Sequence, residues 1–282
     1  MDMSDAHENG NQRYFDAHLH VFPPRMFEAI WRWFDDLDWK VHRQTLDEIL
    51  ATLNAHNVID AIVLSYAHKP GVARPLNDYM KMLGEQYPML YPFGSVHPED
   101  GDLDEYVREA LDSPHIYGFK FQPMVQRYDV NDRRLDGFYA ACQEHNFPIT
   151  MHLGSAPYPC EFLGPEHFRR LMERFPELRV CVAHMGGPEY DEFLAMLDDY
   201  PNVFMDTTMI GTRTELFDNR WRGDEEALRR HAHRILFGSD WPNVPYDYQE
   251  VIDSVPRFPF APEQRPGIYY DNARRYLRLD EG

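Results

Sequence analysis

Apolar positions along the chain fall into short runs separated by stretches with a helical stripe, and the two kinds alternate to the end. The first run, residues 15–22 (FDAHLHVF), predicts a short buried strand. Strand side chains alternate between faces, so His18 and His20 are expected on the same side. Residues 23–43 are rich in Trp and Phe (Trp31, Trp33, Phe34, Trp39) and match no clean period. They read either as a loop with short helices covering a site, or as ordinary packing at one end of the fold.

From Thr45 the pattern is regular. Thr45 and Glu48 form a capping box, and Leu46, Ile49, Leu50 and Leu53 follow at the spacing of an amphipathic helix. A strand over residues 60–65 comes next. The stripes Leu76, Tyr79, Met80, Leu83 and Leu103, Tyr106, Val107, Ala110 then alternate with strands at 90–96 and 116–121. Leu135, Phe138, Tyr139 and Cys142 precede a strand at 148–152, and Phe168, Leu171, Met172 and Phe175 precede one at 179–184. Tyr190, Phe193, Leu194 and Leu197 lead to residues 202–206, and a polar helix around 224–232 leads to a last strand at 234–239. Eight apolar strands, each separated by about one helix with no Gly/Ser-rich linker, predict an α/β fold: a single TIM-type (β/α)8 barrel, with room for distortion. An open doubly wound sheet is the alternative, but the chain carries no GxGxxG or P-loop to favour it.

Composition narrows the function classes. The 282 residues suit one such barrel, and a formal charge of −19 argues against nucleic acid and anionic membranes as partners. Cys142, Cys160 and Cys181 form no CxxC pair, so a disulfide framework or thiolate zinc site is not indicated and a cytoplasmic setting is expected. Residues 1–13 are polar and acidic, with no apolar core of a signal peptide, and are expected as a loose tail before one domain over residues 14–282. The expected partner is a small-molecule substrate, with a homodimer as the default assembly.

A barrel of this kind carries its active site at the C-terminal strand ends. Polar, metal-competent residues fall there: His18 and His20 on strand one, His152 on strand five, His184 on strand six and Asp240 after strand eight. Singly, His152 or His184 could be a satisfied core histidine and Asp240 a helix N-cap. Together, three or four imidazoles and a carboxylate suit a divalent ion, Zn2+ first, with Mn2+, Fe2+ or Co2+ as alternatives.

Hydrophobic-D-x-H-x-H on strand one, His after strand five, H-x-G-G after strand six and G-S-D-x-P after strand eight resemble the metal-dependent amidohydrolase superfamily. The pattern is most similar to its amidohydrolase-related branch, the one resembling aminocarboxymuconate-semialdehyde decarboxylase. The resemblance runs from about Tyr14 to Leu279 and includes the closing N-A-x-R segment at Asn272. It implies that His18, His20, His152 and Asp240 hold the metal, one ion rather than two. His184 would then be a further ligand or the group that deprotonates water, with Asp240 as the other catalytic residue. Lys120 stands where binuclear members carry a bridging carboxylated lysine, but Gln122 replaces the histidine of K-x-H-P. Lys120, Gln122, Arg127, Tyr158 and Trp241 are the candidate substrate contacts, with His68, Lys69, His97 and Arg213 further out on the loops. Lys120 and Arg127 together in the pocket would favour a carboxylate-bearing substrate. The implied activity is hydrolysis of a C–O or C–N bond in a small carboxylate-bearing or cyclic molecule by metal-activated water. Nonoxidative decarboxylation is the alternative, followed by a metal-free lactonase or a non-catalytic binding protein.

Overall fold

The alternation of apolar runs and helical stripes becomes a barrel because each strand is reached through a helix that packs back on the previous one. The structure, a computed structural model, describes residues 12–214 and 218–280, so residues 1–11 of the expected tail lie outside the described residues. Strand β1 (Tyr14–His20) is followed by α1 (Pro24–Asp36) and α2 (Leu46–Ala55) before β2 (Val58–Leu64). Then α3 (Ala73–Gln86) leads to β3 (Leu90–Ser95), and α4 (Leu103–Leu111) to β4 (Gly118–Phe121). The short α5 (Pro123–Gln126) and α6 (Asp136–Glu144) lead to β5 (Ile149–Met151), and α7 (Pro165–Arg174) to β6 (Val180–Val182). Next, α8 (Tyr190–Asp199) leads to β7 (Val203–Asp206) and α9 (Glu225–Arg230) to β8 (Ile235–Leu236), before α10 (Tyr248–Ser254) and α11 (Asn272–Leu277). Strand order follows chain order, and every ladder is parallel.

The capping box forms as read: the Thr45 side chain accepts from the Glu48 N–H, and Glu48 Oε2 accepts the Thr45 N–H at 2.8 Å. Residues 23–43 differ from the expected loop with short helices, since most of the segment is the continuous helix α1 with proline in its first turn. Its period is obscured because aromatic residues lie on both sides. Phe27, Met26, Ile30 and Trp31 pack on the core, while Trp33 and Phe34 line a cavity.

Two apolar clusters hold the molecule together. The larger fills the space between strands and helices, and the smaller includes Phe15, Ile62, Phe93, Phe204 and Leu236, plugged by Tyr276 of α11. Buried Asn272 seats that helix by donating to Ala232 O (2.8 Å) and Ile235 O (2.7 Å).

The barrel closes irregularly between β8 and β1. Only two residues of β8 are ladder-paired, and the remaining junction is made by single bonds: Ala17 N–H to Phe237 O (2.8 Å), Asp240 N–H to His18 O (2.8 Å) and His20 N–H to Trp241 O (2.7 Å). Asp16 clamps the same junction, accepting from the amides of His18 and Ser239, the Ser239 hydroxyl and the Tyr248 hydroxyl. Gly238 is required there, because a Cβ would meet Thr208 Oγ1 at 2.5 Å and His18 Cβ at 2.9 Å. Among the described residues no helix is long and apolar enough to cross a membrane.

Candidate metal centre

The strands β5 and β6 end at Met151 and Val182, short of the expected 152 and 184, so His152 and His184 stand on the turns just beyond them. His184 sits in the left-handed region (φ 54°), as does Asp240 (φ 61°). Such backbone is unfavourable for residues with a Cβ and persists where the surroundings hold it. At His184 the hold is visible: its N–H donates to Asp206 Oδ1 at 2.9 Å.

All five strand-end candidates converge. The ring centroids of His18 and His20 are 5.1 Å apart, those of His18 and His184 5.1 Å, and those of His152 and His184 4.6 Å. His18 Nδ1–H donates to Asp206 Oδ2 (2.9 Å), and His20 Nδ1–H donates to Leu64 O (3.0 Å). These bonds select the tautomer that leaves each Nε2 as a lone pair. Both lone pairs face Asp240 Oδ1, at 3.6 Å from His18 and 2.9 Å from His20. Ligand atoms of His18, His20 and Asp240 thus lie within 4.8 Å of one another, and a cation satisfies three converging acceptors. His152 stands outside that tight trio. Its Nε2–H donates to Ala156 O (2.9 Å), leaving Nδ1 a buried lone pair without a partner. The donor set of imidazoles and one carboxylate therefore fits a divalent ion.

The electrostatics agree with that fit. Burial, aided by His184 and Lys120, drives His152 down to about 3. Burial also takes His184 down to about 4 against the pull of Asp240, and holds His18 well below the usual imidazole range. These rings are neutral at pH 7, the form that binds a cation. Burial opposes ionisation of Asp240, yet the imidazoles of His20, His18 and His184 around it outweigh that cost and keep the carboxyl well below the usual range.

Two of the five expected substrate contacts line the cavity of about 120 Å³ over this cluster, Gln122 and Tyr158. The other three do not. Lys120 is 1% exposed inside the barrel, its Nζ 3.5 Å from His18 Nε2, where burial brings its pKa down to about 8 against the carboxylates of Asp206 and Asp240. It meets the histidines and not the cavity. Arg127 caps α5 in the left-handed conformation (φ 60°) and lines a separate cavity with His68, Lys69 and His97. Trp241 is buried, its ring stacked on His42 at 4.1 Å and its Nε1–H donated to Gln44 Oε1 at 2.8 Å. Arg213 is engaged by Asp218 and Glu250.

Three features were missed from sequence. Asp206, at the end of β7, orients both His18 and His184, and the strand-end rule that found the histidines would have found it too. Asn243 and Tyr66 line the cavity without any marking motif. The walls are otherwise mostly apolar, among them Trp33, Phe34, Leu37, Trp39, Met124 and Val125. A second cavity of about 550 Å³ shares Trp39, His152, Pro157, His184 and Met209 with the first and is bordered by Arg220 and Arg222.

Comparison with known proteins agrees with this architecture. An uncharacterized TIM-barrel protein from Bordetella bronchiseptica superposes with a TM-score of 0.74 at 21% identity, covering 96% of this chain and 100% of that one. A 5-carboxyvanillate decarboxylase from Novosphingobium aromaticivorans, complexed with manganese, gives 0.68 at 14% identity (96% and 97% covered). A probable 2-pyrone-4,6-dicarboxylic acid hydrolase from Acinetobacter baumannii gives 0.61 at 15% identity (95% and 100% covered). These likenesses show the fold. Among curated proteins none matches the chain. The family model described as Amidohydrolase matches residues 15–279, nearly the whole chain, and on that match the chain belongs to the amidohydrolase family.

Proposed function

We propose that this amidohydrolase-family protein is a metal-dependent hydrolase opening a C–O or C–N bond of a small cyclic molecule. The observation that carries the reading is the placement of Asp240: an ionised carboxylate 2.9 Å from His20 Nε2, at the floor of a cavity with mostly apolar walls. His18, His20 and Asp240 would hold the ion, with His152 as the additional ligand. When bound, a divalent ion supplies Lewis-acid polarisation of a substrate oxygen and makes water more acidic. The chain's own groups do the rest. Asp240 accepts the proton of the attacking water and returns it to the leaving oxygen or nitrogen, and neutral His184 is a second acceptor beside it. Trp33, Phe34, Leu37 and Trp39 line the cavity over the cluster, and such apolar walls lower the local dielectric and strengthen the charge interactions beside them. Zn2+ suits this donor set, and Mn2+ is supported by the manganese complex of the decarboxylase neighbour.

Nonoxidative decarboxylation is the second reading. It is favoured by the same apolar walls, which destabilise a carboxylate relative to neutral CO2, and by the decarboxylase among the structural neighbours. Lys120 and Arg127 do not line the cavity, so the argument they offered for a carboxylate-bearing substrate does not apply.

The test is a panel of lactones, cyclic amides and aromatic or muconate-type acids given to the zinc- or manganese-loaded protein, with ring or ester opening and CO2 release both measured. Opening without CO2 is expected, and CO2 without a hydrolysed product replaces the first reading by the second. Asp240→Asn is expected to lower turnover by at least about a hundredfold with an unchanged far-UV spectrum. Metal content below about one-tenth equivalent after supplementation would overturn both readings.

A further inference from the structure

One face of α1 borders a groove of its own. Met26, Ala29, Ile30 and Trp33 recur at i, i+3, i+4 and i+7, the spacing of a single helical face, and all four line a groove of about 340 Å³. The face is open, with Ala29 exposed, Trp33 44% exposed, and Met26 and Ile30 half-buried. Half-buried Met124 and Val125 of α5 form another wall. Trp33, Tyr66, Met124 and Val125 also line the metal-centre cavity, so the two hollows are neighbours, but none of His18, His20, His152 and Asp240 lines the groove.

The groove is basic at one place. His68 and Arg127 line it there and continue into the outer cavity that holds Lys69. In a chain with 47 aspartates and glutamates, none stands among the described residues lining the groove. Burial, with Lys69 and His97 nearby, holds the His68 ring below the ordinary imidazole value, which leaves Arg127 as the formal charge of the lining. Among the described residues the guanidinium of Arg127 and the ammonium of Lys69 have no ion-pair or hydrogen-bond partner. The carboxylates of the outer cavity are engaged elsewhere. Asp129 Oδ1 accepts the Asn131 N–H (2.8 Å) and its Oδ2 meets His167 Nδ1 (3.0 Å), while Asp132 and Glu99 meet Arg134 at 2.6 and 3.7 Å. Arg127 itself is fixed at the end of α5 in the left-handed region (φ 60°), with its N–H donated to Pro123 O at 2.7 Å.

We infer that the groove between α1 and α5 is a binding site for an amphipathic monoanion: an unbranched apolar chain along Met26, Ala29, Ile30 and Trp33, with its carboxylate at Arg127. From Met26 to Trp33 the helix rises about 10 Å, the reach of an eight-carbon chain. Charge complementarity selects the head, because a cation is repelled by Arg127 and Lys69 and a neutral head gains no charged partner. The inference is independent of the reaction proposed above, since the head meets Arg127 and not the histidine cluster.

The experiment is calorimetric titration of the full chain, zinc-loaded and chelator-treated, with octanoate, hexanoate, octanol and octylamine. Octanoate is expected to bind about fivefold more tightly than octanol, with octylamine weakest. Hexanoate should bind at least about fivefold more weakly than octanoate, having two fewer methylenes to bury. The chelator should change none of this. Arg127→Asn, which tolerates the left-handed backbone, is expected to lose the preference for octanoate and keep the octanol affinity. Ala29→Glu, at an exposed helical position, should abolish octanoate binding with an unchanged far-UV spectrum, and Ala29→Gln should weaken it less. Equal affinity for octanoate and octanol, or a preference that survives in Arg127→Asn, overturns the inference. Octanoate binding that disappears with the chelator would place the carboxylate on the metal, overturning the inference and leaving the metal-centre reading intact. Absence of octanoate binding also overturns it, and a dimer dissociated by Ala29→Glu in sedimentation would then identify a second copy of the chain as the occupant.

Discussion

Asp206 does more for the metal centre than its position behind the ligands suggests. Its Oδ2 takes the Nδ1–H of His18 and its Oδ1 takes the backbone N–H of His184, so one carboxylate sets the tautomer of a proposed ligand and a neighbouring strained turn. Such outer partners are worth about 10- to 100-fold in metal affinity. Asp206→Asn is expected to weaken zinc binding by about that factor while the protein stays folded, measured by competition with a chromophoric chelator. An unchanged affinity would leave Asp206 a structural residue only. Lys120, 3.5 Å from His18 Nε2, opposes a cation at the same place, so its lowered pKa favours metal occupancy in its neutral form.

At the scale of elements, the weak point is the junction of β8 with β1. A two-residue ladder offers little pairing, and Asp16 compensates by collecting donors from β1, from Ser239 and from Tyr248 of α10. Burial pushes the Asp16 pKa up, and those donors oppose the rise without cancelling it. Asp16→Ala leaves several buried donors unpaired and is expected to cost about 3 kcal/mol in urea unfolding. A loss under about 0.5 kcal/mol, typical of an ordinary surface site, would contradict the clamp. A second tie joins α10 to the loop after β7. Glu250 accepts from the Arg213 N–H (2.6 Å) and from Arg257 Nη2 (3.0 Å). Burial raises the Glu250 pKa, but these donors bring it below its ordinary value. A depressed folded-state pKa gives stability that is present above the unfolded value and lost as pH falls through the folded one. Glu250→Gln should therefore lower Tm at pH 7, and the difference from the parent should shrink below about pH 4. A difference that stays constant with pH would show that the charge is not the source.

For the whole molecule, an ion held as proposed, by residues from β1, the turn after β5 and the turn after β8, would fasten segments far apart in sequence. Such an ion would bind the folded state alone, so zinc at about a hundred times its dissociation constant is expected to add about 2.7 kcal/mol. Thermal unfolding with zinc and with a chelator reads this as a rise in Tm, which Asp240→Asn should diminish. A Tm indifferent to metal would remove the ion from the structure's support.

The alternation of apolar runs and helical stripes by itself determined the barrel, because a period near 3.6 or 2 is a local property that burial of one face enforces everywhere along the chain. It also determined which strand ends carry His18, His20, His152, His184 and Asp240. Strand lengths were less legible, since the point where β5 and β6 leave their ladders depends on neighbouring strands. The helix α1 was hidden because core-facing and cavity-facing aromatics together erase the polar face by which a helix is read. Only the tertiary structure decided what each polar residue meets. It sent Lys120 under the histidines, turned Arg127 and Trp241 away from the cavity, and brought Asp206, Gln122 and Asn243 to the centre. The physical reason is that a side chain's chemistry is set by partners from distant strands, which residue spacing along one strand does not encode.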